Sequence, residues 1–335
     1  MRIRAAAPFR LACVLAATLL TSGAAPEPSD LSASSRGALR AGYGPTQDAS
    51  PARLDAGRLM ADVRALSAPE MEGRLAGSPG GLRAREFIIR RFSALGLDPV
   101  DGSYVQPFQI REQDGTAEPR QGANVWARVA GRVQPQEFVI VSAHYDHVGV
   151  RGGEVHPGAD DNASGVAALL AAAEWFARHP PARSLLFVAF DAEELGLRGS
   201  RHFVAHPPLP LRQVKAVVNL DMLARGDDDR LVVAGTHPYP ALRPAVEAAA
   251  RGRRLTVTLG HDRPESEAPG IDDWTGLSDH APFHAAGVPF LYFGVENHAD
   301  YHKPTDTAER IPVRFFAEAA EVVLETLVRL TRTGA

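Results

Sequence analysis

The sequence predicts a three-layer α/β/α sandwich on a mixed, mainly parallel central sheet. Three observations carry that reading. The runs Phe138–Val141, Leu185–Phe190 and Val214–Leu220 are of strand length and largely apolar, without hydrophobic–polar alternation, the pattern of strands buried on both faces of a sheet. Helical segments alternate with these runs, which places helices on both faces of one sheet. Finally, the 335 residues are 45% hydrophobic and 23% charged, an ordinary globular composition with ample material for a large core.

The chain begins with a pattern typical of export. Arg2, Arg4 and Arg10 form a basic stretch, Leu11 to Leu20 an apolar core, and Ser22-Gly23-Ala24-Ala25 offers small residues for cleavage, so residues 1–25 read as a signal peptide. The apolar core is too short to serve as a stable bilayer span. Its removal takes three arginines and no acid with it, moving the formal charge from −4 to −7. It also removes Cys13, the only cysteine, leaving no disulfide and no cysteine nucleophile. A secreted or periplasmic location follows. No run of basic residues suggests a nucleic-acid partner.

Residues 26–52 are rich in Pro, Ser, Gly and Ala and read as a flexible linker. The remainder, 53–335, reads as a single catalytic domain. A helix is expected over Asp55–Leu66, a glycine-rich loop over Met71–Gly80, and a second helix over Leu82–Leu95, stopped by Gly96. Tyr104–Ile110 and Ala123–Val129 read as strands, the second continuing into a pair with the strand at 137–143. A helix follows over 162–178. Beyond the three apolar strands come a short strand at Leu231–Val233, a helix at Pro240–Ala250 and a strand at Leu255–Leu259. Glu265–Gly276 is a polar segment suited to the rim of a site. Ser278-Asp279-His280 opens a short helix, Pro289–Phe293 is a strand, and a helix over Val313–Arg332 presents the stripe Val322, Val323, Leu327 and Leu330.

His144, Asp161, Glu193, Glu194, Asp221 and His302 all fall at strand exits or in the loops just after them. Independent surface charges have no reason to collect on the edge where open α/β sheets build their sites. Two histidines and three carboxylates suit a two-zinc site with one carboxylate bridging. Of the adjacent glutamates, one is then a ligand and the other a base. Ser164, ahead of an alanine-rich helix, reads as its cap. His147 and His298 lie beside the constellation, as candidates to support its ligands from behind. His156, His179, His202, His206, His237, His261 and His284 read as surface or packing residues. No Gly-x-Ser-x-Gly elbow and no His-Glu-x-x-His helix is present.

The motifs EMEGRLAGSPG, HYDHVG, GADDNASG, FDAEELGLRGS, NLDM, SDHAPF and DYHKPTDT, in this order from about Leu66 onward, resemble those of family 28 of the metallopeptidases, the two-zinc exopeptidases that include secreted bacterial leucine aminopeptidases and aminopeptidase Y. The resemblance implies the zinc-exopeptidase, phosphorylase/hydrolase-like version of the sandwich and two Zn2+ per chain. It implies that His144 and Asp221 hold one zinc, Glu194 and His302 the other, and that Asp161 bridges them with a cis peptide to Asn162. Glu193 would be the general base and later the acid, Asp146 the carboxylate that orients His144, and Tyr301 an oxyanion stabiliser. Asp279 and His280 match a family loop near the pocket.

The function implied is a secreted aminopeptidase acting on peptides with a free N-terminus. Three alternatives stand beside it. A carboxypeptidase of the glutamate carboxypeptidase kind would be favoured by basic residues at the pocket, an aminopeptidase by an unpaired acidic one, and the sequence does not place Arg225 or Arg263 relative to it. A glutaminyl-cyclase-like transferase would use a single zinc. A non-catalytic binding domain would lack a ligand, and none is missing here. Carboxylate-rich sites of this kind also accept cobalt or manganese in vitro.

Overall fold

The computed structural model describes residues 53–111, 119–264 and 266–332. The expected signal peptide (1–25) and linker (26–52) lie outside them.

Among the described residues, eight strands form one sheet: β1 (Val105–Ile110), β2 (Arg120–Val129), β3 (Gln134–His144), β6 (Arg183–Phe190), β7 (Val214–Leu220), β8 (Arg230–Ala234), β9 (Thr256–Leu259) and β10 (Phe290–Gly294). The strands β4 (Val150–Arg151) and β5 (Glu154–Val155) form a separate two-residue hairpin. The order across the large sheet is β1-β2-β6-β3-β7-β10-β8-β9. β6, β3, β7 and β10 are mutually parallel, whereas β1 and β2 pair antiparallel, β2 with β6 likewise, and β8 with β10. The sheet is therefore mixed with a parallel centre.

This corrects one expectation. β2 does not lie beside β3, because β6 is inserted between them. Every residue of β6 is buried. A strand apolar on both sides loses least at the centre of a sheet, covered on each face, so it displaces the local β2–β3 pairing that the short connection between them permits.

Helices cover both faces. α1 (Ala56–Leu66), α2 (Pro79–Ala94), α3 (Gly165–Arg178), α5 (Arg243–Ala250) and α7 (Val313–Leu330) pack on one; α4 (Arg198–Ala205) and α6 (Ala281–Ala285) pack on the other. The two-residue period of a strand divides β3 between them. Val139, Val141 and Ala143 enter the first core, Phe138 and Ile140 the second. The stripe Val322, Val323, Leu327 and Leu330 on α7 is buried. At the start of α1, Asp55 accepts from Gly57 N–H at 2.8 Å and Arg58 N–H at 3.2 Å, capping the helix.

The helix expected from residue 162 begins at Gly165, after a wide turn over Ala159–Ser164 in which Asp161 and Asn162 are non-helical. Ser164 is not its cap. The Ser164 hydroxyl donates to the Asp160 carbonyl at 2.8 Å and accepts from Leu223 N–H at 2.9 Å. The capping acceptor is Asn162 Oδ1, 3.0 Å from Gly165 N. The helix expected over Pro240–Ala250 is split into a single turn at Pro240–Leu242 and α5, with Pro244 in the first turn of α5.

Candidate metal centre

Parallel register brings the chemistry to one edge. Ser142 of β3 pairs with Asn219 of β7, so His144 and Asp221, each two residues further on, stand level. His144 also pairs with Phe190, so Glu193 and Glu194 follow immediately beside it. His302 arrives on the loop after β10, and Asp161 on the turn that leads into α3.

Asp161 stands between two groups of donors. Its Oδ1 lies 3.4 Å from His144 Nε2, which is itself 3.1 Å from Asp221 Oδ1. Its Oδ2 lies 3.0 Å from His302 Nε2, which is 3.2 Å from Glu194 Oε2. His147 joins the second group, with Nδ1 2.8 Å from Glu194 Oε1 and 3.6 Å from Asp161 Oδ2. In each group the donor atoms lie within 4.8 Å of one another. Imidazole and carboxylate donors at this spacing are what zinc takes. Asp146, Asp161, Asp221 and Asp279 are all at least nine-tenths buried, and so much anionic charge beneath a surface calls for cations. The residues therefore fit a metal centre.

The adjacent glutamates have opposite environments. Burial pushes the Glu193 carboxyl well above its usual range; His144 opposes this, and Asp221, Asp279 and Asp146 add to it. For Glu194 burial acts upward as well, but hydrogen bonds from His147 and His302 outweigh it and bring the group down to about 2. The two neighbouring carboxylates thus differ in proton affinity, Glu193 the higher and Glu194 the lower, a distinction they acquire only from their surroundings. Burial alone would lower His302, but hydrogen bonds to Asp161 and Glu194 raise it to about 9. His144 is likewise raised, Asp221 and Glu193 overcoming burial.

Asp146 is fully buried behind this edge. His144 Nδ1 lies 3.2 Å from the Asp146 carbonyl and donates to it, leaving Nε2 to face Asp161 and Asp221. The Asp146 carboxylate is 3.8 Å from that nitrogen. It accepts the N–H groups of Glu193 at 3.0 Å and Glu194 at 3.3 Å, so it also fixes the backbone that carries both glutamates. Tyr301 stacks on His302 with ring centres 4.0 Å apart. The Asp161–Asn162 peptide is cis. Asp279 is buried with its carboxyl pushed up to about 7, chiefly by burial. His280 is buried and pulled down to about 3 by the same cause, and its Nε2 donates to the Trp274 carbonyl at 2.8 Å.

Several further residues support the centre. Arg74 is completely buried. Its guanidinium donates to the carbonyls of Tyr145 (2.9 Å), Leu66 (2.8 Å), Pro157 (2.6 Å), Gly158 (2.8 Å) and Asp161 (3.4 Å). It thereby ties the end of α1, the exit of β3 and the turn that bears Asp161. Asp306 accepts the N–H groups of Asp160 and Asp161, at 3.1 Å each. His298 Nε2 lies 3.2 Å from Asp160 Oδ2. His156, expected to be an ordinary surface or packing residue, has Nδ1 2.9 Å from the His302 carbonyl and so steadies that loop.

Residues 124–327 match the profile of peptidase family M28. The chain is 30% identical over 205 residues to aminopeptidase YwaD of Bacillus subtilis, covering 57% of this chain and 40% of that protein. It is 33% identical over 168 residues to an aminopeptidase of Pseudomonas aeruginosa, covering 49% of this chain and 30% of that one. The chain thus spans less than half the length of either relative. Among solved structures, BSAP, a zinc aminopeptidase from Bacillus subtilis, superimposes with a TM-score of 0.68 at 19% identity, over 84% of this chain and 96% of its own. A glutaminyl cyclase from Fimbriiglobus ruber superimposes with a TM-score of 0.64 at 21% identity, over 87% and 100%. At such identities these structures share the fold.

Proposed function

The chain belongs to peptidase family M28, and on that footing we propose that it is a zinc aminopeptidase that removes the N-terminal residue of a peptide. The observation that carries this reading is the pair of donor groups sharing Asp161, with Glu193 raised and Glu194 lowered beside them. In this reading His144 and Asp221 hold one zinc, Glu194 and His302 the second, and Asp161 bridges.

Zinc bound there supplies a Lewis acid and lowers the pKa of water toward neutrality. Glu193 takes the proton of the attacking water and returns it to the departing amine. Its buried setting makes it a stronger base than a solvated glutamate. Asp146 holds Glu193 in place through the backbone, and Tyr301, stacked on His302, is assigned the donation to the tetrahedral oxyanion. Residues 1–25 are proposed as the export signal, 26–52 as a linker, and 53–335 as the catalytic domain of a secreted or periplasmic enzyme. No helix among the described residues is long and apolar enough to cross a membrane.

Arg225 supports an aminopeptidase over a carboxypeptidase. Its guanidinium is 2.9 Å from Asp300 and 3.3 Å from Asp227, so its charge is already paired and poorly placed to receive a substrate carboxylate. A single-zinc cyclase reading is weakened by the completeness of the group around His144.

Zinc titration of metal-free protein tests the centre. The expected stoichiometry is two per chain; one per chain favours the cyclase reading. Because His302 is raised to about 9, it is protonated in the metal-free protein at pH 7 and must release its proton to bind. Calorimetry in buffers of different ionisation enthalpy should therefore show release of at least one proton per chain at pH 7. Apparent affinity should rise with pH and level off near 9, where His302 titrates. An affinity flat from pH 6 to 9 contradicts this ligand set.

A further inference from the structure

The HYDHVG motif carries two histidines three residues apart, and the structure sends them to different groups. His144 faces Asp161 Oδ1 and Asp221. His147, with no solvent exposure, faces Glu194 and the other oxygen of Asp161. The His147 and His302 rings flank Glu194 edge to face, with centres 5.4 Å apart. Each imidazole takes one oxygen of that carboxylate: His147 Nδ1 is 2.8 Å from Oε1 and His302 Nε2 is 3.2 Å from Oε2.

His147 therefore has two possible roles. It is a fourth ligand through Nδ1, or it is a donor that orients Glu194. Two observations separate them. The first is spacing. Two donors on one tetrahedral zinc, each about 2.0–2.1 Å from the ion, stand roughly 3.3 Å apart. His302 Nε2 stands near that separation from both carboxylates, at 3.0 and 3.2 Å, whereas His147 Nδ1 stands inside it from Glu194, at 2.8 Å, and beyond it from Asp161, at 3.6 Å. The second is the far side of the ring. His147 Nε2 is buried and has no hydrogen-bond partner. Were Nδ1 to bind metal, the proton would sit on Nε2 as a buried N–H without an acceptor, an uncompensated loss of hydration. Metal-bound imidazoles nearly always donate that second N–H. With the proton on Nδ1, the bond to Glu194 is made and Nε2 is left only with an unused lone pair.

We infer that His147 is a positioning residue for the second metal: its Nδ1–H holds Glu194 Oε1 and turns Oε2 toward the side of His302. The inference rests on the reading of Glu194 and His302 as ligands. Gly158 is part of the device. It has a left-handed backbone (φ 55°), and a Cβ there would stand 2.5 and 2.6 Å from Cδ2 and Cγ of the His147 ring. The glycine of GADDNASG thus provides the seat for the second histidine of HYDHVG.

The test compares wild type, His147→Asn and His147→Ala by zinc competition against a chromophoric chelator, with thermal melts to verify folding. Asparagine places an N–H close to the position of Nδ1–H but offers zinc no imidazole. His147→Ala should weaken one of the two zincs by about 10- to 100-fold, and His147→Asn should recover most of that loss. The visible spectrum of the cobalt-substituted His147→Asn protein should overlay that of wild type, because the ligands are unchanged. If Asn binds as weakly as Ala and its cobalt spectrum differs, His147 is a ligand and the inference falls. Wild-type affinity in His147→Ala overturns it too, leaving the ring a packing role. Wild-type protein that takes up no zinc overturns the metal-centre reading and this inference together, which separates the two failures.

Discussion

Replacing Glu193 by Gln is expected to lower kcat by roughly 10²- to 10⁴-fold, about 3–5 kcal/mol of barrier, while zinc content stays at the wild-type level. The amide keeps the size of the side chain but cannot take a proton. Glu193 belongs to neither donor group, and its hydrogen bond to Asp146 is made by the backbone N–H, which the substitution leaves in place. KM should change little. The contrast is Glu194→Gln, which weakens a group held at about 2 by two imidazoles and should lose zinc as well as turnover. If Glu193→Gln loses zinc and Glu194→Gln keeps it, the two roles are reversed. If Glu193→Gln retains wild-type kcat, Glu193 is not the base.

Arg74→Ala is expected to have the largest effect on stability. The side chain is completely buried, and its donors meet five carbonyls on three separate segments. Deleting it removes a donor from each of them, of which the Gly158 carbonyl keeps the Ala163 N–H at 3.2 Å, at about 1–3 kcal/mol for each left unpaired where water cannot reach, and opens a cavity. Even partial relief by water leaves a loss on the order of 4 kcal/mol, a large part of a typical domain's total of about 5–15 kcal/mol. The melting temperature should fall by about 10 °C. Burial also lowers the Arg74 pKa to about 10, against the pull of Asp161 and Asp306, so the residue remains a cation at neutral pH beneath the anionic centre. Arg74→Lys retains the charge but has three donors in place of a planar fork and should recover only part of the loss; it also provides a measurable protein if the alanine variant does not fold. A melting temperature of Arg74→Ala within about 2 °C of wild type would contradict the clamp role.

The contrast between Arg74 and the strands shows what could be read without coordinates. Phe138–Val141 and Leu185–Phe190 announce themselves because strands covered on both faces need no polar alternation. Their neighbours in the sheet do not, since pairing is decided by which strand gains most from the centre, and β6 separated β2 from β3 on that account. The candidate ligands were legible for a related reason: acidic residues and histidines at strand exits stand out against apolar runs. The residue types alone left open which glutamate is base and which is ligand, because Glu193 and Glu194 differ only in what surrounds them; only the family resemblance pointed to Glu193. In HYDHVG the two histidines look alike, and only the chain's turn after β3 sends one to each group. A buried arginine in a glycine-rich loop reads as an ordinary solvated charge. Ser164 preceded a helix as a cap would, yet its hydroxyl is engaged by Leu223 N–H, far along the chain.

The most direct test of the account is mass spectrometry of a peptide incubated with the zinc-loaded protein, in three forms: free, N-acetylated and C-amidated, each with a chelator control. The account predicts stepwise loss of residues from the N-terminus of the free and amidated peptides, none from the acetylated one, and none in chelator until zinc is restored. Loss from the C-terminus that amidation blocks, or cleavage that continues in chelator, would contradict it.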